Sequence, residues 1–122
     1  MESTVYRHLD TVALVIGPPD ARASRCTKSF ETVQIRVARE PDAQAACERL
    51  PVLMPQLVVV LSPLEPKERE DLVERTTAVG ALLVEIDPEL DNEALDSILD
   101  RAAQAAVDRG LVRDSPETRR QD

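Results

Sequence analysis

Two stretches of this chain, Thr11-Val-Ala-Leu-Val-Ile16 and Leu57-Val-Val-Val-Leu61, are apolar at almost every position. A strand with one face in water alternates polar and apolar residues, because successive side chains point to opposite faces. A strand without alternation has both faces covered, as in a parallel sheet lying between two layers of helices. A chain of 122 residues holds one such domain. Neither stretch is long enough to cross a bilayer.

The remaining elements follow from local signals. Gly17-Pro18-Pro19 stops the first strand, and Asp20 caps a helix of about ten residues with Ala23, Cys26, Thr27 and Phe30 along one side. Thr32 to Ala38 alternates, with Val33, Ile35 and Val37 on one face, and reads as an edge strand with one side partly wet. A helix opens at Pro41, presents Ala43, Ala46, Cys47 and Leu50, and stops at Pro51. Leu57 to Leu61 reads as the central strand. A third helix starts at Pro66 after Glu65, turns Leu72, Val73, Thr76 and Val79 inward, and ends in a left-handed cap at Gly80. Ala81 to Ile86 is the fourth strand. Asp91 or Asn92 caps the last helix, whose stripe is Leu95, Ile98, Leu99, Ala102, Ala105 and Ala106, and Gly110 ends it. The domain is therefore expected over residues 1–110, with 111–122 as a flexible tail. Four strands alternating with helices give an α/β fold, a small three-layer sandwich with a mainly parallel sheet. No fifth strand can be placed.

Charge is distributed unevenly. Residues 1–64 hold seven acids and seven bases, whereas residues 65–100 hold twelve acids and three bases, a local net of −9. A field of that sign repels nucleic acid and anionic membranes and favours a basic protein surface, although acidic helices also serve solubility. Phe30 and Tyr6 are the only aromatics, so base stacking has little to work with. Three glycines do not make a Gly-rich phosphate loop. The apolar segment around Val12 to Ile16 is too short for a secretory signal, which makes cytoplasm the expected compartment.

Nucleophilic and metal chemistry have few carriers. His8 is the only histidine, with no nucleophile near it in sequence, and it reads as a structural or surface residue. Cys26 and Cys47 match no zinc or redox spacing and read as reduced structural thiols. Among Glu85, Asp87, Glu89, Asp91 and Glu93 the central glycine and terminal glutamate of a calcium loop are missing. No cofactor, metal or catalytic set is expected.

The order of motifs from Glu31 onward resembles the receiver domain of two-component response regulators. Thr32 to Leu61, TVQIRVAREPDAQAACERLPVLMPQLVVVL, is similar to the family's second strand, second helix and third strand. Gly80 to Asp100, GALLVEIDPELDNEALDSILD, resembles its Gly-Ala turn, fifth strand and last helix. The resemblance implies a receiver-like or flavodoxin-like fold. The interval from Leu61 to Gly80 is too short for the family's third helix, fourth strand and fourth helix together, so either one βα unit is missing or the likeness is one of fold alone. The family's phosphorylation residues are not matched. Its acidic pair falls on Gly17-Pro18-Pro19, with Asp20 the only nearby acid, its phosphoacceptor on Leu61 or Ser62, and its lysine on Glu85. Aspartyl phosphorylation needs an acceptor carboxylate, a Mg2+ cage and a cation, and Glu85 inverts the sign of the last.

The expectation is a non-enzymatic pseudo-receiver that binds another protein with a basic surface, in regulation or scaffolding, with no nucleic-acid or membrane partner. The candidate docking residues are Glu85, Asp87, Glu89, Asp91, Glu93, Asp96 and Asp100. One rival is a small enzyme or ligand sensor with its site at the carboxyl ends of the strands, around Gly17 to Asp20, Ser62 and Asp87. Another is a homo-oligomer subunit, joined by the Leu and Ala residues of the last helix or by the Thr32 to Ala38 edge.

Overall fold

The computed structural model describes residues 11–114, with side chains as far as residue 108. The expectations about Tyr6 and His8, and the tail expected beyond residue 114, lie outside the described residues. Four strands and four helices alternate: β1 (Val12–Ile16), α1 (Ala21–Thr32), β2 (Arg36–Glu40), α2 (Ala43–Leu53), β3 (Leu57–Val60), α3 (Pro66–Val79), β4 (Leu82–Glu85) and α4 (Asn92–Asp114). The sheet is entirely parallel, in the order β2-β1-β3-β4. This is an α/β three-layer sandwich of flavodoxin-like order with four strands among the described residues.

Strand alternation builds two cores. Ala13, Val15, Leu57 and Val59 face α1 and α4, where they meet Ala23, Cys26, Phe30, Leu95 and Leu99. Leu14, Ile16, Val58 and Val60 face α2 and α3, against Ala43, Ala46, Leu50 and Leu72. The chain steps from β1 to β2 in one direction and from β2 through β3 to β4 in the other. Crossovers of one hand therefore put α1 on one face and α2 with α3 on the opposite face. The reversal between β1 and β3 is the topological switch point.

Several boundaries differ from the sequence expectation. The second strand begins at Arg36 rather than Thr32, because α1 runs to Thr32 and the chain turns through Gln34 at φ 67°. Phe30 O accepts from the N–H groups of both Val33 and Ile35, so Val33 is 48% exposed while Ile35 is buried. Pro51 lies inside α2 instead of ending it. Only a partial turn follows, and Met54 N–H still closes on Leu50 O at 2.9 Å. Val73, expected inward, is 46% exposed, and the inner face of α3 is carried by Leu72 and Thr76. The last helix continues through Gly110 to Asp114, since glycine inside a helix costs only about 1 kcal/mol relative to alanine.

The caps at Asp20, Glu65 and Gly80 form as their residue types require. Asp20 Oδ1 accepts from Ala23 N–H at 3.0 Å, Glu68 Oε1 accepts from Glu65 N–H at 3.0 Å, and Gly80 takes φ 76°.

Candidate functional site

The strand order places one group of loops at the carboxyl end of the sheet: residues 17–20 after β1, 61–65 after β3 and 86–91 after β4. Ligands of open α/β sheets sit at this end, beside the switch point. Here the two central strand ends pack directly on each other. Gly17 has φ 152°, and a Cβ at that position would lie 3.1 Å from Leu61 Cβ and 3.3 Å from Ser62 Oγ. Only glycine allows this approach, and Leu61 is buried beneath it.

A second closure comes from Arg22. Its Nη1 donates to Pro88 O and its Nη2 to Asp87 O at 3.0 Å, which ties the start of α1 to the turn after β4. The Arg22 Nε is buried and has no hydrogen-bond partner. Asp20, the one acid near the end of β1, spends its carboxylate on capping α1.

The seven acids expected to dock a partner divide into two groups. Four are held by the protein itself. Glu85 forms a bidentate pair with Arg69 at 2.9–3.1 Å, and this hydrogen bonding raises the Arg69 pKa. Asp87 Oδ1 accepts from Glu89 N–H at 2.9 Å, and Asp91 Oδ1 caps α4 through Ala94 N–H at 2.8 Å. Asp96 receives two bonds of 2.8 Å from Arg25, which hold its carboxyl below the usual carboxylate range. The other three, Glu89, Glu93 and Asp100, are exposed, and their carboxylates make no hydrogen bond or ion pair with a described residue. Asp87, Glu89, Asp91 and Glu93 share the carboxyl-end rim. Asp100 stands apart, in a cleft with Ser29, Val33, Ala103 and Gln104 between α1 and α4.

Arg22, Arg25 and Arg69 organise this end, and sequence reasoning assigned a positioning role to none of them. Their partners are 16 to 71 residues away, beyond the reach of any local pattern.

The thiols sit on opposite faces of the sheet, Cys26 with the α1 and α4 core and Cys47 beside the α2 and α3 core, and both are free. Burial pushes the Cys26 thiol up to about 11, and burial also raises Cys47. Cys47 lies at a groove of about 390 Å3 between α2 and α3, whose rim mixes Glu65, Glu68 and Asp71 with Lys67 and Arg75. Among the described residues no three His, Cys, Asp or Glu side chains form a metal-binding group. No helix among them is long and apolar enough to cross a membrane.

The Leu and Ala stripe of the last helix, considered above as a joint between copies, is largely consumed in the core. Leu95, Leu99, Ala102 and Ala106 are buried against the sheet.

No protein-family model matches the chain, and neither does any curated protein.

Proposed function

We propose that this chain is a non-catalytic protein-binding domain, a pseudo-receiver that works without phosphorylation and docks a basic partner surface on its carboxyl-end rim. The observation that carries this reading is the close approach of the two central strand ends at the switch point. Gly17 packs against Leu61 and Ser62 where a ligand crevice would open, and Arg22 fastens the neighbouring turn. Strand ends in such close contact, edged by carboxylates, favour a macromolecular surface over a small molecule. The rim is also preorganised. Asp87 and Asp91 fix the turn and the start of α4 by accepting from Glu89 N–H and Ala94 N–H, and Glu89 and Glu93 project from it with their charges free.

Complementary charge of this kind acts mainly on association rate, because it steers diffusion before contact. Partners captured on the native protein are therefore tested against Glu89→Gln/Glu93→Gln, a variant that spares the carboxylates holding the turn. The expected result is association slowed several-fold at low salt, with the difference from wild type vanishing at high salt. An unchanged association rate at low salt overturns the assignment of the rim.

A further inference from the structure

The two outer strands of the sheet leave different edges to solvent. β4 bonds to β3 through Leu82 N–H to Gln56 O and Ile86 N–H to Val60 O, each 2.9 Å, in a parallel register running from Leu57↔Leu82 to Val60↔Glu85. Alternation along the strand then turns the N–H and C=O groups of Leu83 and Glu85 outward. No described strand pairs with that side.

The flanks of this edge are apolar. On one face Leu82 and Val84 line a groove of about 280 Å3 with Ile98, Ala102 and Ala105, and Arg101 stands at its side. On the other face Leu83 is half-buried, and Val73 is exposed one turn along α3 from the arginine that reaches Glu85. Open edges are ordinarily blunted by charge, proline or a bulge. β2 follows that rule with exposed Arg36 and Arg39, whereas β4 carries no charge before Glu85.

We propose that the free edge of β4 pairs antiparallel with β4 of a second copy, joining two four-stranded sheets across a two-fold axis at Leu83. This pairing is independent of the acidic docking rim. The occupant must present outward backbone groups, apolar side chains on both faces and no charge at its middle, and another β4 has all three.

Directly opposed residues of an antiparallel pair share a face, so the two-fold axis falls on Leu83 or on Val84. An axis at Val84 sets Leu83 against a partner Glu85 and desolvates a carboxylate. An axis at Leu83 opposes Leu82 to Val84 and leaves Glu85 at the end of the ladder, opposite Ala81. Each Leu83 N–H then donates to the Leu83 C=O of the other copy.

Charge selects the antiparallel direction. It sends the two acidic rims, with Glu89 and Glu93, to opposite ends of the joined sheet, whereas parallel pairing would set them side by side. The Arg101 side chains lay their stems over the groove and keep their heads in water.

Sedimentation velocity over a concentration series, with amide exchange read residue by residue, tests the pairing. The expected result is a concentration-dependent dimer in which the Leu83 and Glu85 amides slow as protein concentration rises. The outward amides of β2, Val37 and Arg39, are expected to stay fast. Leu83→Lys should weaken the dimer by about a hundredfold or more. A monomer at every concentration up to the millimolar range overturns the proposal. So does a dimer that survives Leu83→Lys with unchanged circular dichroism, or one whose Leu83 and Glu85 amides exchange as fast as in the monomer. Where Leu83→Lys fails to fold, the exchange measurement on the wild-type chain decides alone.

Discussion

β2 and β4 bound the same parallel sheet on its two sides, and each is entered through a residue in the left-handed region, Gln34 at φ 67° and Gly80 at φ 76°. Their sequences differ sharply: Arg-Val-Ala-Arg-Glu for β2 and Leu-Leu-Val-Glu for β4. The arginines of β2 keep its outer side wetted, while β4 presents Leu82, Leu83 and Val84 half-buried with a groove beside them. A sheet edge is thus defined by its side chains as much as by its unpaired backbone. One edge repels a neighbouring strand, and the other accepts one.

The largest effect expected from perturbing this contrast lies under the β2 half, where Cys26 is buried close enough to Arg39 to feel its charge. Its thiol is pushed up to about 11, mainly by burial. In the unfolded chain a cysteine titrates near 8.5, so the unfolded state loses its proton first. Stability should fall as pH rises from about 8.5 to 11, by up to roughly 3 kcal/mol. Cys26→Ala should flatten that slope relative to wild type in urea unfolding followed across the same range.

Removing the guard on β2 is the next test. Arg36→Thr/Arg39→Thr makes that edge resemble β4, and light scattering should show self-association strengthened by about tenfold, close to 1.4 kcal/mol. If association is unchanged, the arginines are not what keeps β2 apart.

The entry turns hold a glycine at one edge and a non-glycine at the other in the same left-handed region. Gly80→Ala forces a Cβ into the left-handed region and should destabilise by about 1 kcal/mol, whereas Gln34→Gly relieves the same strain and should stabilise by roughly 0.5 kcal/mol. Shifts in urea midpoint at constant slope would check both signs.

The smallest effect concerns the one charge of β4. Glu85 and Arg69 are 38% and 46% exposed, so their ion pair is well solvated. Glu85→Gln should lower the thermal midpoint slightly at low salt and not at high salt, because exposed pairs are screened.

Much of the layering was legible in the residues. The unbroken apolarity of Thr11 to Ile16 and Leu57 to Leu61 announced strands covered on both faces, and Val15 and Leu14 do face opposite cores. The left-handed stop at Gly80 was equally plain. The candidate site was legible only as composition. Seven acids looked alike in sequence, and the fold divided them by bringing Arg69 to Glu85 and Arg25 to Asp96. The Thr32 to Ala38 alternation misled because Phe30 O captures the N–H groups of Val33 and Ile35 while Glu31 O takes that of Gln34, which delays the strand to Arg36.

By itself the sequence determined which segments must be shielded from water and where helices start, because apolar periodicity and caps act over a few residues. The alternation of the second segment already marked β2 as an edge, and only the tertiary structure decided that β4 became the other edge and that Gly17 closes against Leu61. The physical reason is range. A strand's own residues report how much of it is buried, but its neighbours are set by the direction of each crossover. Those crossovers bring together groups as far apart in the chain as Arg25 and Asp96, separated by 71 residues.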